Sequence, residues 1–150
     1  QKYIDEIQAY FLEKGIQLVT LKEWNESDPI VPIMDELKKA NGCFVLAMER
    51  YFVCTGTEKR GSGQEGEIID SCYTSPWLQI ESALARSLEL PLMIFKDNTL
   101  KNEGLIHEDM QEWGMVKIDQ SNLQEISEYP VKNFVSKWIK EVKEYHQNNG

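Results

Sequence analysis

Cys43-Phe44-Val45-Leu46-Ala47-Met48 is the stretch on which the fold turns. Six apolar residues in a row suit a strand buried on both faces, as strands of a parallel sheet are. Asn41-Gly42, just upstream, ends a helix with a buried stripe of Ile30, Ile33, Met34 and Leu37. Ser27 or Asp28 can cap that helix, with Pro29 tolerated in its first turn. Further back, Ile4, Ile7 and Phe11 recur at helical spacing beside Tyr3 and Tyr10 until Gly15. Residues 16–21 then read as a strand, and the polar 22–28 segment, which contains Trp24 and Asn25, as a loop.

Downstream, residues 54–74 carry Gly56, Gly61, Gly63 and Gly66 and read as a long loop, with local pairing around 67–70. Loops of this length inside a domain serve as lids or binding segments, or are disordered. Ser75-Pro76-Trp77 opens a helix, with Ser as cap and Pro at the first position. That helix ends before Leu90-Pro91, and Leu92-Met93-Ile94-Phe95 is the next strand. A short helix over 104–113 and a short strand over 115–118 follow. Val131, Phe134, Val135, Trp138, Ile139 and Val142 make the stripe of a closing helix.

Helices and strands thus alternate through the whole chain. The pattern predicts one α/β domain over residues 1–150: a parallel sheet with helices on both faces and right-handed crossovers. Ligands of such sheets sit outside the carboxyl ends of the strands.

Composition narrows the function. With 150 residues, 41% hydrophobic and 27% charged, the chain is an ordinary globular domain. A formal net charge of −9 argues against nucleic acid, whose phosphates such a surface repels. Lys59-Arg60 is the one clear basic step in a loop, and Glu58 and Glu65 flank it. No apolar run approaches the ~20 residues that span a bilayer. Cys43, Cys54 and Cys72 are odd in number and too far apart in sequence for a metal or redox pair, which fits a reducing cytoplasm. The opening Gln1-Lys2-Tyr3-Ile4 is not a signal peptide and reads as processed or excised from something longer.

His107 and Asp109 lack the partners of a metal site, and His146 lies near the chain end, so no metal is expected. Gly61-Ser62-Gly63 does not join a strand to a helix and is no phosphate loop. Trp113 and Trp138 read as core. Ser75 reads as a cap rather than a nucleophile, since no His is placed to activate it.

The informative anomaly is Glu81. Trp77, Ile80, Leu84, Ala85 and Leu88 share one face of the third helix, and Glu81 falls inside that stripe. A carboxylate there either reaches the helix edge and pairs, with Arg86 or a loop lysine, or faces a pocket with Trp77. In a pocket it is suited to sugar chemistry, binding ribose hydroxyls and stabilising an oxocarbenium-like centre.

The run from Ser75 through Trp77 to Glu81 resembles Toll/interleukin-1 receptor (TIR) domains and their bacterial TIR-like relatives. Ala83, Ala85 and the Pro-containing strand over 90–95 follow as in that family, and residues 42–51 look like its central strand leading to a tyrosine, Tyr51. The likeness covers most of residues 1–95 in element order, and the Trp-to-Glu spacing is its moderately specific part. It implies a three-layer, flavodoxin-like sheet and cleavage of the nicotinamide–ribose bond of NAD, with NAD as substrate and no further cofactor. Glu81 would be the catalytic residue; Trp77, Ser75, Tyr51 and, from the mobile loop, Trp24 would bind substrate. It also implies self-association and a role as an effector module in bacterial immunity. The family's first strand has no counterpart before Tyr3 and is expected upstream of Gln1. Nucleoside 2-deoxyribosyltransferase-like enzymes share the layout and a helix-borne Glu, and many TIR domains are non-catalytic scaffolds, so both readings stay open.

Overall fold

The structure is a computed structural model that describes residues 1–20 and 27–150. It contains four helices: α1 (Lys2–Glu13), α2 (Ile30–Lys39), α3 (Pro76–Ser87) and α4 (Val131–Asn149). Its strands are β1 (Cys43–Ala47), β2 (Tyr51–Glu58), β3 (Gly66–Tyr73), β4 (Leu92–Asp97) and β5 (Met115–Ile118). β1, β4 and β5 form a parallel sheet in the order β1-β4-β5, and β2 and β3 pair as a separate antiparallel hairpin. The α/β architecture expected from alternation is therefore present, built on three parallel strands.

β4 is the centre of this sheet and is buried at every position. Its alternation divides the core in two, because successive side chains of a strand point to opposite faces. Met93 and Phe95 join Ile7 and Phe11 of α1 and Val135 and Trp138 of α4. Ile94 joins Ile33 and Leu37 of α2, Val45 and Ala47 of β1, and Ala85 of α3. Each wholly buried Ile or Phe contributes roughly 2 kcal/mol of transfer free energy, so these stripes hold the helices on the sheet. Trp138 also donates from Nε1 to the carbonyl of Pro91 at 3.1 Å, locking α4 over the start of β4. Gly42 is required beneath α4, since a Cβ there would stand 2.6 Å from Val142 Cγ2.

Three expectations are corrected. Residues 16–20 form no strand, and Leu21 lies outside the described residues. Ile16 is buried, and its N–H bonds back to Phe11 O after Gly15 turns the chain at φ +79°. Among the described residues no strand lies beside this segment, and strand propensity alone does not make a strand. Among the described residues the outer edge of β1 likewise carries no partner strand.

Second, most of the expected long loop is the β2–β3 hairpin, and only the seven residues between Glu58 and Gly66 turn. Lys59 and Gly61, at φ +51° and +78°, supply the left-handed positions that this turn needs. Asp70, at φ +42°, interrupts the pairing opposite Cys54 and shifts the pleat. In consequence Val53, Gly56 and Ile68 share one side of the hairpin. Third, residues 104–113 form turns and a single 3-10 turn (Gln111–Trp113) instead of a helix. Gly104 at φ +55° opens the segment, and the Leu105 N–H is drawn out to Gln79 Oε1 at 3.2 Å.

Candidate functional site

The carboxyl edge of the sheet is where the hairpin attaches. Arg50 N donates to Tyr73 O at 2.8 Å and Lys101 N to Cys72 O at 2.9 Å, so the base of the hairpin joins the exits of β1 and β4. The Cys72 thiol donates to Glu49 Oε2 at 3.1 Å, and that bond is the main reason its pKa is raised. Elsewhere β2 and β3 touch chiefly each other, which leaves Phe52 and Ile69 exposed.

α3 begins beside this junction. Ser75 Oγ accepts from Trp77 N at 3.3 Å, so Ser75 is the cap that its place before Pro76 predicts. The helix lies on the sheet along its small residues, with Ser82 and Ala85 wholly buried and Leu78 packed beside them. The apolar stripe read from sequence is thus rotated: its deepest line passes through Ser82, one residue after Glu81. Small side chains let the helix approach the strands closely, which hydrophobicity alone does not reveal.

Glu81 is half-buried on the flank of that contact. It makes no hydrogen bond or ion pair with a described residue. Arg86 is engaged elsewhere, donating to Glu112 O at 3.1 Å and lying over the Trp113 ring at 5.1 Å. Loss of solvation raises the Glu81 pKa above its ordinary value. The carboxylate also acts on β1: burial first, and Glu81 second, push the Cys43 thiol up to about 12. Trp77 is partly buried and packs against the core on the α2–α3 side of the sheet.

A cavity of about 410 Å³ opens between the hairpin and the 101–103 segment after β4. Tyr51, Tyr73, Thr74, Pro76, Lys101 and Asn102 stand around it. Of the residues singled out from sequence, Tyr51 lines this cavity and Ser75 sits between two of its wall residues. Glu81 and Trp77 do not line it. Trp24 lies outside the described residues. Tyr73, Thr74, Lys101 and Asn102 escaped sequence reading; the one usable signal was that residues 101–102 closely follow the exit of β4, where ligands of parallel sheets bind.

The described residues hold no cluster of three or more His, Cys, Asp or Glu fit for a metal ion. His107 Nδ1 accepts from the Asp109 N–H at 3.2 Å, a local turn contact. Among them, too, no helix is long and apolar enough to cross a membrane. Compared with protein-family models, curated proteins and solved structures, the chain gives no significant match.

Proposed function

We propose that the chain is a TIR-like, flavodoxin-like domain that cleaves the nicotinamide–ribose bond of NAD, with Glu81 as the catalytic carboxylate. One observation carries this reading: Glu81 is half-buried, without a partner among the described residues, and poorly solvated. A carboxylate stripped of part of its hydration interacts more strongly with a neighbouring positive charge. In this reaction the glycosidic C–N bond breaks and its electron pair leaves with nicotinamide, whose ring nitrogen becomes neutral. The positive charge passes to the ribosyl centre, where Glu81 stabilises it. Water adds to that centre and releases a proton, giving ADP-ribose. Trp77, one turn earlier on α3, is the aromatic wall in this reading.

Incubation with NAD and measurement of free nicotinamide tests it. Wild type should release nicotinamide and Glu81→Gln should not; equal rates in the two proteins sink the proposal. Self-association is part of the reading, so the assay belongs at high as well as low protein concentration. Release of free base from nucleosides, with NAD intact, favours an N-glycosidase or deoxyribosyltransferase-like enzyme. The exposed Phe52 and Ile69 on the hairpin favour a third reading, a non-catalytic assembly module. Filaments or dimers without turnover at any concentration support it.

A further inference from the structure

Strand β2 presents an open edge, and the residues along it complement themselves. Among the described residues β2 pairs with β3 alone, so the backbone groups on its outer side have no ladder partner. β3 differs: Lys101 N donates to Cys72 O beside a bridge to Leu100, which covers the base of its outer edge. Edge strands are ordinarily guarded by charge, proline or brevity. β2 has eight residues, and the seven from Tyr51 to Thr57 carry neither a charge nor a proline in a chain that is 27% charged. Phe52 and Ile69 stand exposed on the ribbon. A two-stranded ribbon is marginal in water, and a third strand is one way to stabilise it.

Two features of β2 select the partner. The first is its pleat. Tyr51, Val53 and Glu58 line the hollow, and Gly56 shares the side of Val53. The steps between these four, of two, three and two residues, read the same from either end of the strand. An antiparallel second copy of β2 therefore matches it face for face when Tyr51 stands opposite Glu58, Phe52 opposite Thr57 and Val53 opposite Gly56. The second is charge. Glu49-Arg50 precedes the uncharged run, and Glu58-Lys59-Arg60 follows it. The Arg50 guanidinium lies over the Tyr51 ring at 5.6 Å, so this register sets it beside the second copy's Glu58. Glu49 likewise meets the second copy's Lys59 and Arg60. Neither Arg50 nor Glu58 has an ion-pair partner among the described residues.

We infer that β2 pairs with β2 of a second copy of this chain, across a two-fold axis between Cys54 and Thr55, in one continuous sheet of order β3-β2-β2-β3. The contact is isologous, so it closes as a dimer and does not propagate. It gives the self-association of the NAD reading a surface, and it stands without the Glu81 chemistry.

Sedimentation equilibrium of the full chain tests it. Wild type should dimerise with a Kd below about 100 μM. Thr55→Lys sets two ammonium groups beside the axis and should weaken the dimer about tenfold or more. Arg50→Glu and Glu58→Arg place like charges opposite each other, and each should weaken it about fivefold or more. Combined in one chain, the two should restore wild-type affinity within about twofold, because the pairs re-form with their signs exchanged. In wild type a short bis-maleimide should join two chains through the exposed Cys54, and Cys54→Ser should lose that product. A chain that stays monomeric up to about 1 mM overturns the proposal, as does a filament in place of a dimer. A dimer that Thr55→Lys leaves unchanged, a double variant no tighter than the single ones, or no Cys54-linked product overturns it too. Dimers without nicotinamide release leave this inference standing and sink the catalytic reading, and release by a strictly monomeric chain does the reverse.

Discussion

Glu81 on α3 and Cys43 at the start of β1 are electrostatic neighbours: the carboxylate helps hold the thiol in its protonated form. The relationship places Glu81 against the sheet, on the side of α3 that also carries Trp77. It also makes both residues experimentally readable.

The first consequence is a pH signature. Burial raises the Glu81 pKa above 4.5, so the folded state binds more protons than the unfolded state between those two values. Stability from this group is complete below the unfolded value and is lost as pH rises through the folded one. Glu81→Gln should therefore match wild type in acid and be the more stable protein at neutral pH. Urea titrations across that range check it; a gap that widens in acid contradicts the assignment.

Thiol reactivity should divide the cysteines. Cys54 is exposed on β2, whereas Cys43 is held near 12 by burial and Glu81. Iodoacetamide at about pH 8 should label Cys54 and spare Cys43, because the thiolate is the reactive form. Peptide mass mapping reads the outcome, and comparable labelling of the two would refute the placement.

Lys96 is 2% exposed in the central strand and donates to Leu100 O at 2.7 Å, holding the turn after β4. Its burial lowers its pKa. Lys96→Ala loses both this bond and the packed stem and should cost about 2–4 kcal/mol in urea unfolding. Lys96→Met keeps the stem and should cost at least about 1 kcal/mol less than Lys96→Ala. Equal losses would mean that the stem does not pack.

Gly114 precedes β5 at φ +71°, where an added Cβ would collide with the backbone of Leu92. Gly114→Ala should destabilise by about 3 kcal/mol or more, combining clash with strain. Gly63→Ala, at a hairpin turn with nothing near its Cβ position, should stay within about 0.5 kcal/mol of wild type. Thermal melts of the pair test the contrast.

What could be read from the residue order was what neighbours in the chain decide. The spacing of Ile7 and Phe11, or of Val135, Trp138 and Val142, marks a helix because one face must be apolar. Ser75 and Pro76 mark its start because the first turn needs an oxygen and spares an N–H. The apolar runs of β1 and β4 announce strands that packing will cover. Glu81 could be flagged because a carboxylate beside an apolar stripe breaks that local pattern.

Tertiary structure alone decided the rest. Residues 16–20 have the composition of a strand, yet among the described residues no strand lies alongside to pair with them. The glycine-rich stretch became a hairpin because β2 and β3 satisfy each other. Ser82, polar by type, is wholly buried on α3 beside Ala85, its hydroxyl donating to Leu78 O at 2.6 Å. The cavity joins Tyr51, Thr74 and Asn102, which lie far apart in sequence. Backbone pairing and close approach are bargains between distant segments, and no local periodicity encodes which segments will meet.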